Sequence, residues 1–445
     1  MYRKWKFTPF SFVVSLIAAL GGLLFGFNTS VISGALLFLQ RDFNLSTVEQ
    51  EIVVSILLVG ALVGAFLGGF IADSFGRKKT LIFTVILFII GTICLSEAVG
   101  FDSLLVGRSI LGFAIGITSM AVPLYIAEMS PPQSRGALVS LNQLLLTVGI
   151  LLAYAVSLHY ADKSNWRDMF LFGIFPAILQ GVGLFFIPES PSWLLEQGKS
   201  AQAEKILHRI RVAPAESKLA KAKKKEDGPS KTSWKELLKP SVRKSFLVGI
   251  GVSVFQQITG INTVIYYAPK IFQLAGYSTA QQAIQATLIV GGVNVLMTVL
   301  SLWLIDRLGR RPLMLGGLIG MAASLAILGF SFFSTSLAIE AAALGGLIVY
   351  VAFFAVSLGP CAWLIISEIF PQGIRGRAMG IAVFANWLCN YIVSLTFLSL
   401  LEVLGNGQTF WLYAAICLLG LWFVYKMVPE TKGKTLDEIQ NFWTK

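Results

Sequence analysis

The chain has 445 residues, of which 56% are hydrophobic and only 13% charged, and its net charge is +12. Water-soluble chains carry about a quarter of their residues as Asp, Glu, Lys or Arg, so most of this surface must face lipid and a soluble globular class is excluded. A bilayer crossing takes about 20 apolar residues, and twelve such stretches occur near 10–39, 51–73, 80–98, 103–128, 136–160, 167–187, 246–275, 282–306, 312–334, 338–366, 376–401 and 408–428. Long unbroken runs predict helices, because barrel strands would alternate in short segments.

Span 1 follows Arg3, Lys4 and Lys6, is too long for a cleavable leader, and carries Asn28 late in its course. Span 2 repeats Gly60, Gly64 and Gly68 on one face, a pattern that permits close helix packing. It ends in Asp73-Ser74-Phe75-Gly76-Arg77, where a glycine permits a tight turn. Span 4 holds Arg108, Gly112 and Gly116 and closes at Glu128, with Arg135 opening span 5. After span 6 comes the one long polar stretch, 188–245, with an amphipathic piece over 201–211 and a lysine run over 218–225. The amphipathic part is expected to form short surface helices acting as a latch, and the lysine run to be solvated. Cys94, Cys361, Cys389 and Cys417 all fall in spans with no metal or redox spacing, as small apolar fillers. No cofactor is implied, and no catalytic constellation argues for an enzyme.

The charge surplus is one-sided. Arg77, Lys78, Lys79, Arg307, Arg310, Arg311, Arg375 and Arg377 fall in loops of one side, against only Arg41, Lys163, Arg167 and Lys270 on the other. This positive-inside distribution puts both termini in the cytoplasm and accounts for the basic balance without a nucleic-acid partner.

Three patterns occur twice. Asp73…Arg77 returns as Asp306…Arg310 (306 − 73 = 233), Glu128…Arg135 as Glu368…Arg375 (368 − 128 = 240), and Pro188-Glu189-Ser190 as Pro429-Glu430-Thr431 (430 − 189 = 241). The chain is therefore two copies of one unit, the construction transporters use for two bundles about a central site. The expected fold class is all-α integral membrane, twelve helices in two pseudo-symmetric six-helix bundles. The domains are 1–187 and 246–428, joined by a cytoplasmic linker 188–245 and followed by a tail 429–445.

Phe25-Gly26-Phe27-Asn28-Thr29-Ser30-Val31-Ile32-Ser33-Gly34 resembles the first-span signature of the sugar porters of the major facilitator superfamily. Pro123…Glu128, Pro188-Glu189-Ser190-Pro191, Phe255-Gln256-Gln257-Ile258-Thr259-Gly260-Ile261-Asn262 and Pro429-Glu430-Thr431-Lys432-Gly433 resemble it as well, over essentially the whole chain. The resemblance implies alternating access to one monosaccharide site. Gln143, Gln256, Gln257, Asn262, Asn294, Trp363 and Asn390 match family sugar-contacting positions, and Tyr266 and Tyr267 match an outer gate. The chemistry agrees: amides both donate and accept toward hydroxyls, and an indole offers an apolar platform with one donor. Counted from a cytoplasmic entry near 246, Gln256, Gln257 and Asn262 lie roughly 15–24 Å along span 7, near mid-bilayer. Amides in membrane helices also bond neighbouring helices without holding any ligand; Asn386 stays open between the two roles, and Trp387 could be packing.

The resemblance further implies that Asp73, Arg77, Glu128, Arg135, Asp306, Arg310, Glu368 and Arg375 form inter-helix salt bridges closing the cytoplasmic side. Proton-coupled relatives commonly have Asp where this chain has Asn28, opposite the position of Arg108. An amide does not titrate usefully, so the expected activity is facilitative uniport of a hexose or pentose such as glucose or xylose. The alternatives are proton symport through another group such as His159, with protons then a partner, and a non-transporting sugar sensor. The expected setting is a plasma membrane (an inner membrane in a bacterium), with the protein working as a monomer in the lipid bilayer.

Overall fold

Lipid offers no partner for backbone N–H and C=O groups, so each crossing must satisfy them within the segment. The structure is a computed structural model describing residues 8–210, 240–333, 338–370, 375–434 and 438, and among these there is no strand. Twelve helical stretches are long and apolar enough to cross a membrane, from Pro9–Asp42 to Asn406–Met427, with ends a few residues from those expected. The lysine run over 218–225, Pro371 and the side chain of Arg375 lie outside the described residues.

The first five spans are single helices: α1 (Pro9–Asp42), α2 (Thr47–Phe75), α3 (Arg77–Ser96), α4 (Phe101–Glu128) and α5 (Arg135–Ala161). The sixth is broken into α6 (Trp166–Leu171) and α7 (Ile174–Phe186), and two short helices follow, α8 (Pro191–Glu196) and α9 (Ser200–Arg209). The seventh is broken into α10 (Pro240–Ile258) and α11 (Ile261–Leu274). Then come α12 (Ala280–Leu308) and α13 (Arg310–Ser331), a tenth span split into α14 (Ala338–Val356) and α15 (Leu358–Ile369), and finally α16 (Arg375–Leu404) and α17 (Asn406–Met427).

The chain divides into two packed units, Met1–Thr29 with Val59–Ala153 and Arg167–Lys231, and Ser30–Leu58 with Tyr154–Trp166 and Thr232–Lys445. In the first, α2 and α4 touch backbone to backbone through the glycine pattern: a Cβ on Gly64 would fall 2.2 Å from the Phe113 carbonyl oxygen, and one on Gly116 2.2 Å from that of Ala61. Helices α8 and α9 pack on this same unit. Trp193 donates to the Asp73 carbonyl at 2.9 Å, and the Arg209 guanidinium lies 3.7 Å over the Phe10 ring.

The second unit contains the far ends of α1 and α2, meaning the ends remote from the basic loops. Its aromatic core joins Phe397 to Tyr267, Phe410 and Tyr413. Both tyrosines and both phenylalanines of this group are buried, so α11, α16 and α17 are clamped together by ring packing.

Candidate functional site

The break between α10 and α11 gathers polar groups within the second unit. Gly260 has φ 94°, a left-handed conformation only glycine adopts without strain. A Cβ there would also meet the Tyr413 ring at 2.8 Å. The interruption frees backbone groups, and side chains take them up. The Tyr350 hydroxyl donates to the Thr259 carbonyl at 2.8 Å, and the Thr263 hydroxyl to the Gly260 carbonyl at 2.7 Å.

Around this break four amides interlock. Asn386 of α16 donates to Gln256 Oε1 at 2.6 Å and to the Ser253 carbonyl at 3.0 Å, and its own oxygen accepts from Gln257 Nε2 at 3.0 Å. Asn262 donates to Gln257 Oε1, and Gln256 Nε2 reaches the Gly359 carbonyl at the start of α15 at 3.1 Å. Gln256, Gln257 and Asn386 are buried. The chain thus concentrates uncharged donors and acceptors where helices meet, an arrangement able to exchange hydrogen bonds with hydroxyls. Asn386, which the sequence left between two roles, is the member that ties α16 to α10.

Other expected site residues fall on the same unit with fewer ties. Asn390, one turn beyond Asn386, accepts from the Ser394 hydroxyl at 3.2 Å and reaches the Tyr266 hydroxyl at 3.5 Å. Asn294 of α12 is buried. Trp363 of α15 is 39% exposed, leaving its indole available. Tyr267 is fully buried: its hydroxyl donates to the Ser394 carbonyl at 2.8 Å and its ring stacks on Phe397 at 5.4 Å. It pegs α11 to α16, whereas Tyr266 reaches Asn390. Gln143 belongs to the first unit, half-buried on α5.

The first unit buries a cation instead. Arg108 is 1% exposed, and its Nη1 donates to the backbone carbonyl of Asn28 at 3.0 Å. The Asn28 side chain turns to its own helix, donating to the Leu24 carbonyl at 2.9 Å. The contact between Arg108 and Asn28 therefore runs through the main chain.

At the basic end of the first unit, Arg77 lies 3.1 Å from Asp73 and holds Glu128 with two bonds of 3.1 Å. Ser190 donates to the same carboxylate, and Tyr125 to the Pro188 carbonyl at 2.5 Å. In the second unit Arg310 bonds Glu368 at 3.1 Å, while Asp306 is exposed and enters no ion pair among the described residues. Arg135 is also exposed, and among the described residues it is joined to none of these acids.

Residues 14–443 match the family model described as "Sugar (and other) transporter". The chain belongs to this sugar transporter family. It is 40% identical to the galactose-proton symporter of Escherichia coli strain K12 over 97% of this chain and 94% of that one. It is 38% identical to the glucose transporter GlcP of Staphylococcus epidermidis, over 96% of each. Among solved structures, the inward-open xylose transporter XylE of Escherichia coli superposes with a TM-score of 0.84 at 35% identity, covering 97% of this chain and all of that one. The fold is accordingly that of the major facilitator superfamily, and the chain is a multi-pass membrane transporter, not an enzyme.

Two acids at the basic ends stand in repeated motifs, yet their sequence alone suggested no role for them. Glu189 accepts the Lys78 N–H at 2.9 Å, and Glu430 accepts those of Arg310 and Arg311 at 3.1 and 3.0 Å. Each places a carboxylate on the first turn of a helix, where free N–H groups and the helix dipole favour negative charge. The signal the sequence carried was the recurrence of both motifs in the two halves, at offsets of 241 and 233 residues.

Proposed function

We propose that the chain carries a monosaccharide, a hexose or pentose such as glucose or xylose, across the membrane by alternating access, as a facilitative uniporter. The observation that carries the reading is the amide cluster of Gln256, Gln257, Asn262 and Asn386 around the α10–α11 break. The amides bond one another, and a polyol offers the same donors and acceptors in exchange. Gln143, Asn294, Trp363 and Asn390 complete the proposed contacts, with Trp363 as the apolar platform. Relatives described as glucose and D-xylose transporters support this substrate class.

Uniport is favoured by Asn28. Position 28 carries no titratable side chain, and one bond of the Arg108 guanidinium goes to its backbone carbonyl, whose charge does not change with pH. Symport is the second reading, favoured by the 40%-identical galactose-proton symporter. The two moving bundles are 1–187 and 246–428, linked through 188–245, with a tail 429–445. The basic end and both termini face the cytoplasm of a plasma membrane, or of the inner membrane in a bacterium, and the monomer is the working unit.

The test is uptake of radiolabelled sugars by the purified protein in liposomes, with and without an imposed pH gradient. Equilibration without accumulation, lost on replacing Gln256 and Gln257 with Ala, is the expected result, and Asn28→Asp should introduce pH dependence. Proton-driven accumulation by the unaltered protein would establish symport; no flux of any monosaccharide would leave the sensor reading.

A further inference from the structure

One buried acid lies outside both the amide cluster and the basic-end network. Glu51, on the first turns of α2 at its far end, is 2% exposed. Both of its oxygens are bonded by one residue of α16: Oε1 accepts the Ser399 N–H at 2.8 Å, and Oε2 accepts the Ser399 hydroxyl at 2.6 Å. Ser399 lies inside α16, which runs to Leu404. A helical N–H is ordinarily taken by the carbonyl four residues back, so a carboxylate from another helix competing for it marks a specific contact.

The surroundings make that contact one-sided. No Lys or Arg forms an ion pair with Glu51 among the described residues. The acid that acts on it by charge is Glu402, one turn further along α16, which itself accepts from the Thr47 hydroxyl at the start of α2. Lys270 of α11 donates instead to Gln40 of α1 at 3.0 Å. Glu51 and Glu402 thus both reach between α2 and α16, and among the described residues neither forms an ion pair, although the charge of Lys270 acts on Glu402. A carboxylate withdrawn from water without a cation depends on its hydrogen bonds. Those bonds exist only while α2 and α16 touch. Once the helices part, water takes over the carboxylate, and hydration offsets part of the loss of the two bonds. Such a contact is firm in geometry and cheap to open, which suits an element that must release repeatedly.

We propose that Glu51 is the outer latch of the transport cycle: its two bonds to Ser399 hold the far ends of α2 and α16 together in the state closed on that side, and break whenever that side opens. This rests on the alternating-access reading, and the residue acts by positioning helices, with no contact to sugar. Thr47 and Glu402 form the second tooth of the same latch.

The experiment uses the full chain in lipid nanodiscs, with spin labels at Val48 and Val403, two residues 56% and 81% exposed at the far ends of α2 and α16. The background has its four native cysteines replaced, and its sugar flux in liposomes is measured alongside. Electron–electron distance distributions are recorded for the parent, Glu51→Ala, Glu51→Gln and Ser399→Ala. Glu51→Ala is expected to raise the long-distance population several-fold. Glu51→Gln, which keeps an acceptor for the N–H, and Ser399→Ala, which keeps the N–H, should fall between. Distributions for all three that coincide with the parent would overturn the latch. Should Glu51→Ala not fold, the two conservative variants decide the question by themselves. The readout needs no substrate, so a latch that opens in a protein moving no sugar would sink the transport reading alone. Unchanged distances in a protein that transports would sink the latch alone.

Discussion

In the first half the Arg77 guanidinium uses all three of its nitrogens: two donors go to Glu128, one to the Ala72 carbonyl at 3.2 Å, and a further contact is made with Asp73. In the second half Arg310, its duplicate, bonds Glu368 once, and both Arg310 Nε and Glu368 Oε2 are buried without a hydrogen-bond partner among the described residues. The helix caps beneath them are the same in both halves, with Glu189 on Lys78 and Glu430 on Arg310 and Arg311. Even the next contact is copied: Lys78 Nζ reaches the Phe185 carbonyl at 3.3 Å, and Arg311 reaches that of Tyr425 at 2.7 Å. Duplication has kept the joint and let its ion pair diverge. The mid-membrane sections diverge further, with a buried cation, Arg108, in one half and an amide cluster in the other. A scaffold constraint binds both copies equally, whereas a ligand site needs its chemistry supplied only where the ligand contacts it.

The largest expected effect separates the two ion pairs. Arg77→Ala leaves Glu128 with a side chain only 13% exposed and no cation, and losing one partner of a buried pair costs about 3–5 kcal/mol. Arg310→Ala removes one bond from an acid 27% exposed and should cost roughly 1 kcal/mol or less. Thermal unfolding of the purified variants in detergent measures both. Equal losses would mean that the pairs are equivalent and that the slack geometry of Arg310 has no energetic meaning.

Next come the turns, where the copies should behave alike. Gly76 and Gly309 have φ values of 98° and 94°, and a Cβ on either would meet the capping carboxylate, at 2.5 Å from Glu189 and 2.7 Å from Glu430. Both lie in an extended positive-φ region that only glycine adopts readily, with ψ 154° and 169°, so alanine at either site should destabilise by about 1–3 kcal/mol for the backbone alone, with some further loss from the displaced cap. A tolerant Gly309 beside an intolerant Gly76 would show that divergence has reached the scaffold.

The sequence disclosed the scaffold because apolar run length, loop charge and motif spacing are local properties. Twelve spans, the Gly60–Gly64 contact and the Asp73–Arg77 turn were all visible there. The Gly260 break was readable from its glycine, and the Ser357 break between α14 and α15 from the Gly359-Pro360 pair just after it, since proline cannot donate to the carbonyl four residues back. Its residue has φ −116° and ψ −93° and is held by the Ser357 hydroxyl on the Phe353 carbonyl at 2.6 Å. The roles of Asn386, Glu51 and Ser399 were hidden. Each depends on which residue of a distant helix stands opposite, and helix rotation about its axis is set by packing rather than by composition. Arg108 was conspicuous as an intramembrane charge, yet its bond to the Asn28 main chain could not be told from a side-chain pair.

The amide cluster gives the third test. Asn386→Leu keeps the side chain near its present volume but leaves Gln256 Oε1 and Gln257 Nε2 without the bonds they now have to it. If those amides must be aimed at sugar hydroxyls, affinity should fall roughly 5–10-fold, the equivalent of about 1 kcal/mol for a hydrogen bond. Equilibrium binding of the best-transported sugar, measured by calorimetry, reads this directly. An unaltered affinity with reduced thermal stability would make Asn386 a strut between α16 and α10 and nothing more.

The smallest effect belongs to the caps. Glu189→Gln and Glu430→Gln each lose the charge and keep one oxygen able to accept the first-turn N–H groups, in place of the two that now do so. The favourable interaction of a carboxylate with a helix N-terminus is worth about 0.3–1 kcal/mol. Both variants should therefore lose little stability, and by the same amount, with the deficit shrinking as salt is added. The two caps are alike in geometry while the ion pairs above them are not, so any difference between the variants points to what links cap and pair. Glu189 shares its segment with Ser190, which bonds Glu128, so loosening this cap could also slacken the Arg77 pair. In the other half the matching neighbour, Thr431, has a buried hydroxyl without a partner among the described residues, and supplies Glu368 with no such bond. A larger loss for Glu189→Gln, abolished in an Arg77→Ala background but not in Arg310→Ala, would locate the coupling in Ser190 and account for why one half of the duplicated joint is tight and the other slack.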